Sequence, residues 1–184
     1  ASVIVTGRHG YKCSVTVYFT INPISVAGLT GLSVNRISDR TFSGSPIKPK
    51  PTVKYTNEKG KTVTLSSKYY NVIYSDNVEA GTAHILVTGR GNYGGTASGT
   101  FEITQRALTK GVKVKGFKSA VKLGSGAATQ SNLTLVCGKY ELTEGIDYTV
   151  RYENNTAAGK AKVIIEAADD SSFKGSITKS FRVK

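Results

Sequence analysis

The sequence predicts an all-β chain built of serial modules of about 80 residues, the first of them only partial. Three observations carry this: one stretch recurs roughly two and a half times, apolar residues alternate within each copy, and the composition suits strands. Ala1 to Ile21 match Ala83 to Ile103 at a constant offset of 82, with eight identities. These include Val5-Thr6-Gly7-Arg8 against Val87-Thr88-Gly89-Arg90, Tyr11 against Tyr93, and Phe19 against Phe101. Downstream, Tyr70-x-Val72-x-Tyr74, Asn77 and Ala80-Gly81 recur at an offset of 78 as Tyr148-x-Val150-x-Tyr152, Asn155 and Ala158-Gly159. The offset then grows to 80, where Phe173-x-Gly175 answers Tyr93-x-Gly95. Twenty glycines, ten tyrosines and no Met or Trp accompany abundant Val, Ile and Thr, with no segment of helical period.

Each repeated segment reads as strand, turn, strand, turn, strand. In Tyr70–Tyr74 and Tyr148–Tyr152 the aromatic and β-branched residues fall on every second position, so one face can be buried. Ser75 to Gly81 and Glu153 to Gly159 supply Asn, Asp and Gly, which tolerate positive φ and fit a hairpin loop. Ala83, Ile85 and Val87 then form an inward set, as do Ala161, Val163 and Ile165. Lys160 and Lys162 mark the alternate set, with Ile164, as the wet face. The glycine run at 89–95 lacks a Gly-Lys-Ser/Thr ending and no helical period follows it, so it reads as a turn rather than a phosphate cradle.

In chain order, residues 1–21 supply the last two strands of a preceding module, 22–32 a linker with a short strand near Ser25-Val26, and 33–103 a whole module. Residues 104–116 link it to a third module at 117–184. The first 21 residues would leave an apolar face and open edges without partners. Truncation of a preceding module is the preferred expectation, and strand addition from a neighbouring chain the alternative. Phe42 to Val53, rich in proline, is expected to run as an edge strand or polyproline-like segment. Val53–Tyr55 and Thr62–Leu65 make a hairpin around Asn57 to Gly60, and Gly124 to Asn132 form a long loop. No run of eighteen apolar residues is present, so no membrane-spanning helix is expected.

The series Phe42-Ser-Gly-x-Pro-Ile-x-Pro, Tyr70-x-Val-x-Tyr-x-x-Asn-x-x-Ala-Gly-Thr-Ala, Gly89-x-Gly-Asn-Tyr-x-Gly and Phe101-x-Ile resembles the tandem immunoglobulin-like repeats of Gram-positive, notably clostridial, surface and secreted proteins. The third copy keeps Asp147-Tyr-Thr-Val-x-Tyr-x-Asn-Asn-x-x-Ala-Gly and departs at the proline segment and the glycine turn. The resemblance spans nearly the whole chain. It implies tandem immunoglobulin-like β-sandwich modules outside the cell, acting as spacers or adhesive elements beside a separate catalytic or binding domain. It also allows a lysine–asparagine isopeptide crosslink, without singling out a residue.

No catalytic constellation, cofactor site or metal site is expected. His84 belongs to the outward set and His9 to a turn, while Asp76, Asp147, Asp169, Asp170, Glu144 and Glu153 are scattered over turns. Asp169-Asp170 alone offers too few oxygens for calcium. Cys13 and Cys137 occupy non-equivalent positions in different modules and read as two free thiols, with an intermolecular bridge through Cys13 left open.

Charge is the unusual feature. The net charge of +13 splits nearly evenly between the two halves. Two stretches hold basic residues and no acids: Arg40, Lys48, Lys50 and Lys54 in one, and Arg106, Lys110, Lys113, Lys115, Lys118 and Lys122 in the other. They are the candidate contacts for an anionic polysaccharide or wall polymer, against the alternative of a solvated lysine-rich surface. Aromatics do not interleave with these lysines as a stacking platform would require, which disfavours nucleic acid. The expectation is a non-enzymatic extracellular stalk or adhesion segment. Its alternatives are a structural subunit assembling by strand complementation, as in a filament or phage surface protein, and an accessory domain of a wall- or carbohydrate-active enzyme.

Overall fold

The computed structural model describes residues 1–22, 24–25, 33–57 and 59–184. It is nearly all β, as the alternation requires: the described residues form strands and one 3-10 turn at Ser67–Tyr69, and no α-helix. None of them forms a helix long and apolar enough to cross a membrane.

The first hairpin pairs β1 (Ser2–Thr6) with β2 (Ser14–Tyr18) antiparallel, from Ser2 opposite Tyr18 to Thr6 opposite Ser14. Its turn closes through Gly7 N–H to Cys13 O at 2.9 Å, with His9 at φ 54°. Every residue of both strands is exposed. Val3 and Val5 are 51% and 60% exposed, whereas their counterparts 82 residues on, Ile85 and Val87, are 1% and 0%. A two-stranded hairpin is marginal without a packed face.

Nine strands follow: β3 (Ile24–Ser25), β4 (Ser33–Val34), β5 (Arg40–Thr41), β6 (Val53–Thr56), β7 (Thr62–Thr64), β8 (Tyr70–Ser75), β9 (Gly81–Gly89), β10 (Tyr93–Gly94) and β11 (Thr96–Thr104). Nine more run from β12 (Arg106–Ala107) through β13 (Val112–Lys115), β14 (Ala120–Val121), β15 (Thr134–Cys137), β16 (Tyr140–Leu142), β17 (Tyr148–Glu153), β18 (Gly159–Ala167) and β19 (Phe173–Lys174) to β20 (Ser176–Val183). Their pairing is the same in both sets: β3 with β10 and β12 with β19; β4-β6-β7 and β13-β15-β16; β5-β11-β9-β8 and β14-β20-β18-β17. Two of these joins are parallel in each set, Ile103 facing Arg40 in the first and Arg182 facing Ala120 in the second.

Several local expectations meet a different outcome. Residues 104–116, read as a link, contain β12 and β13. The short strand expected near Ser25-Val26 is β3, while Pro23 and residues 26–32 of the same stretch lie outside the described residues, as does Glu58 in the turn between β6 and β7. Ile164, assigned to the wet face, is only 6% exposed, because its cross-strand neighbours are Arg151 and Thr178, whose aliphatic parts can shelter it.

The proline segment forms no strand between Phe42 and Thr52, since Pro46, Pro49 and Pro51 have no N–H to donate. Asparagine stands in for the missing ladder. Ile47 N–H donates to Asn77 O at 2.8 Å, and Asn77 Nδ2 donates back to Ile47 O at 2.9 Å. The next copy repeats this pair between Ala128 and Asn155, at 2.8 and 3.0 Å. Each loop is pinned again at a tyrosine. Tyr74 OH donates to Pro49 O at 2.7 Å, whereas Tyr152 OH accepts from Gln130 N–H at 2.9 Å. Gln130 restores the donor that Pro49 lacks, so the hydroxyl changes role while the contact stays.

The chain divides into two compact units, Ala1–Asn35 with Thr52–Ile73 and Leu86–Ser98, and Arg36–Pro51 with Tyr74–Ile85 and Gly99–Lys184. In the first, Val53, Leu65, Tyr70 and Val87 are buried. In the second, Ala83, Ile85, Phe101 and Ile103 are buried, as are Leu135, Leu142, Val163, Ile165, Phe181 and Val183. Asn77→Ala removes one half of the clamp and strands the Ile47 carbonyl. The expected loss is about 1–3 kcal/mol, read from the urea midpoint. Asn155→Ala should cost less, because Asn155 is more exposed.

Candidate functional site

The ten candidate basic residues are placed by three kinds of local structure. Alternation on β13 buries Val112 and Val114 more than their neighbours and turns Lys113 and Lys115 outward on one face of an edge strand. Two residues along a strand put these lysines about 6–7 Å apart. Lys118 and Lys122 are exposed on either side of the edge strand β14, and Lys110 is exposed after β12. The buried Gln130 fixes the Lys118 backbone, accepting from its N–H at 2.8 Å and donating to its carbonyl at 2.9 Å. Arg40 lies on β5, and Lys48 and Lys50 alternate outward from the clamped proline segment. Lys54 is half-buried on β6, the central strand of its sheet, and belongs to the other compact unit.

Arg106 is different. Its Nε donates to Phe42 O at 2.6 Å and its Nη1 to Lys110 O at 3.4 Å, so it buttresses the fold. The cations of the two runs also stand at non-equivalent strand positions: Arg40 corresponds to Val121, and β13 with its two lysines corresponds to Ser33-Val34.

Arg106 leads to a junction between the two sets of strands, all of it within the second compact unit. Phe42, fully buried, meets Phe173 at 5.1 Å between ring centroids and Tyr140 at 5.5 Å, both edge to face. Burying such a ring is worth roughly 1.5–3 kcal/mol. Two aromatic partners add about 0.5–1.5 kcal/mol each. Gly44 passes against the Tyr140 side chain at φ 71°, where a Cβ would collide with it. On the flank, Ser172 Oγ donates to Glu79 Oε2 at 2.6 Å and accepts from Ala80 N–H at 2.8 Å.

Beneath the rings sits Asp147, 4% exposed, which accepts from Thr143 N–H at 2.8 Å and from Tyr140 OH at 3.2 Å. Burial first, and then the Asp147 carboxylate, push the Tyr140 hydroxyl up to about 12. Sequence reasoning placed Asp147 among scattered turn acids. Its one signal was position, directly before the repeated Tyr148-x-Val-x-Tyr strand.

The remaining titratable groups are dispersed. His84 and His9 are exposed, Asp76 and Asp170 occupy turns at φ 52° and 60°, and Asp169 and Glu144 are exposed. Glu153 is ion-paired at the surface with Arg151 at 2.9 Å and Lys162 at 3.6 Å, and the Arg151 bond holds its carboxyl below the usual range. Cys13 is exposed and Cys137 buried, both free. Among the described residues no three His, Cys, Asp or Glu side chains gather as metal ligands. The chain matches no protein-family model, and no curated protein matches it.

Two outcomes follow from this geometry. Tyr140 favours its neutral form in the folded chain, so its contribution to stability is complete below pH 10.0 and declines as pH rises towards about 12. Tyr140→Phe should flatten part of that decline in urea midpoints, leaving a residual slope from Tyr148 and Tyr70, also raised by burial. Reversing charge at Lys113 and Lys115 should weaken binding to a soluble polyanion and reduce its log–log salt slope by roughly two. Arg106→Ala should instead destabilise the fold.

Proposed function

We propose that this chain is a non-catalytic stalk or adhesion segment of an extracellular or cell-surface protein, built of tandem immunoglobulin-like β-sandwich repeats. The observation that carries the reading is the recurrence of one nine-strand pairing plan with a packed joint between successive sets. Phe42, Tyr140 and Phe173 exclude water there, and the Ser172 and Arg106 hydrogen bonds fix direction. Repeats coupled in this way hold what they carry at a set distance and pass load along the backbone. The resemblance to Gram-positive surface repeats supports the same reading. The exposed lysines on β13 and around β14 are the surface for contact with an anionic wall polymer or polysaccharide, by long-range attraction rather than by shape.

One observation favours a second reading. The β1–β2 hairpin exposes the apolar positions that β9 buries, and a neighbouring chain could cover them by strand addition. Light-scattering mass of residues 1–184 against concentration, at low and high salt, separates the two. The stalk reading expects a monomer at every salt concentration. Oligomers that grow with concentration and vanish on deletion of residues 1–21 would overturn it in favour of an assembly subunit.

A further inference from the structure

The far end of the third set of strands repeats the surface on which that set itself sits. Phe42 N–H donates to Thr104 O at 2.9 Å, and Leu123 N–H donates to Lys184 O at 2.8 Å, so Leu123 is the counterpart of Phe42. Phe42 is 0% exposed beneath Tyr140 and Phe173, while Leu123 is 37% exposed. Ala158 corresponds to Ala80, whose N–H meets Ser172 Oγ. Among the described residues the Ala158 N–H meets no acceptor. Beside it lies an open depression of about 560 Å³ lined by Ala158, Gly159, Arg182, Val183 and Lys184.

We infer that Leu123, the Ala158 amide and this depression form a docking socket for a further repeat of the same fold. Its leading end presents an aromatic pair and a hydroxyl, as Tyr140, Phe173 and Ser172 do. The internal joint is the template: aromatic rings cover Leu123, a serine-type hydroxyl caps the Ala158 amide, and an arginine placed like Arg106 reaches the Leu123 carbonyl. Arg182 and Lys184 favour a partner end that carries acid, as the Asp169-Asp170-Ser171-Ser172-Phe173 turn does. A second copy of this chain is a poor occupant. Its second set has Asn92, Tyr93 and Val63 where the third has Ser172, Phe173 and Tyr140, and basic residues flank them.

This inference rests on the tandem-repeat reading above, and its test is separate from that one. The full chain is extended after Lys184 by a second copy of residues 105–184, because Lys184 corresponds to Thr104. Amide exchange at Ala158 is then compared between the 184-residue and extended chains. The expected result is exchange slowed at least about tenfold in the extended chain. It should be restored by Leu123→Asp, or by alanine at the appended counterpart of Phe173. Leu123→Asp in the 184-residue chain should leave its urea midpoint unchanged, since it removes no internal contact of that kind. An appended repeat that folds yet leaves Ala158 exchange unaltered overturns the socket, as does one that stays unfolded beside an intact residue 1–184 portion. Equal protection of the 184-residue chain by poly-glutamate also overturns it, in favour of a simple anion site. A monomeric mass for residues 1–184 survives any of these failures, so the stalk reading stands or falls on its own measurement.

Discussion

Burial of Phe42 is the constraint on which the second compact unit depends. The ring belongs to one set of strands, and the rings that cover it, Tyr140 and Phe173, belong to the next. Neither set alone can keep water from it. Gly44 must be a glycine so that Tyr140 can lie close, Arg106 is spent on the Phe42 carbonyl, and Asp147 is buried to hold the Tyr140 hydroxyl. Exposed charge pairs such as Arg151–Glu153 are screened by water and contribute little beside the aromatic contacts at Phe42. The joint is therefore apolar in its energy and polar in its geometry, a division that makes orientation specific without making it costly.

Much of this was legible beforehand. The alternation in Tyr70–Tyr74 and Tyr148–Tyr152 locates β8 and β17, and the shared Val-Thr-Gly-Arg motif locates the hairpins, because period-two burial leaves a direct trace in residue types. What stayed hidden was non-local. The two-residue strands β3 and β12 are too short to show a period, so residues 104–116 read as a link although they carry β12 and β13. Leu123 and Phe42 share only an apolar side chain, and the matching backbone bonds to Lys184 and Thr104 make them equivalent. Asp147 looked like any turn acid because burial depends on what packs above it. Arg106 looked like one more surface cation because its acceptor lies 64 residues away.

The positive charge has a similar double character. Lys113 and Lys115 stand on an edge strand, where charged side chains also discourage pairing with another chain's edge. The same lysines proposed as the surface for an anionic polymer thus also discourage two such chains from merging edge to edge. The β1–β2 hairpin has no comparable guard: Val15, Val17 and Ile4 face outward with no lysine between them on either strand.

The loop clamp has an evolutionary side. A tyrosine hydroxyl is both donor and acceptor, and in one copy it gives its proton to Pro49 while in the other it receives one from Gln130. The position facing it is therefore free to gain or lose an N–H without leaving a buried polar group stranded. Asn77 and Asn155 hold the loop independently of what side chain follows, since they read only its backbone. The segment between β5 and β6, or between β14 and β15, can drift from proline-rich to glycine- and serine-rich while its path stays fixed. Sequence divergence between repeats should therefore concentrate there and spare the tyrosine and the asparagine that hold it.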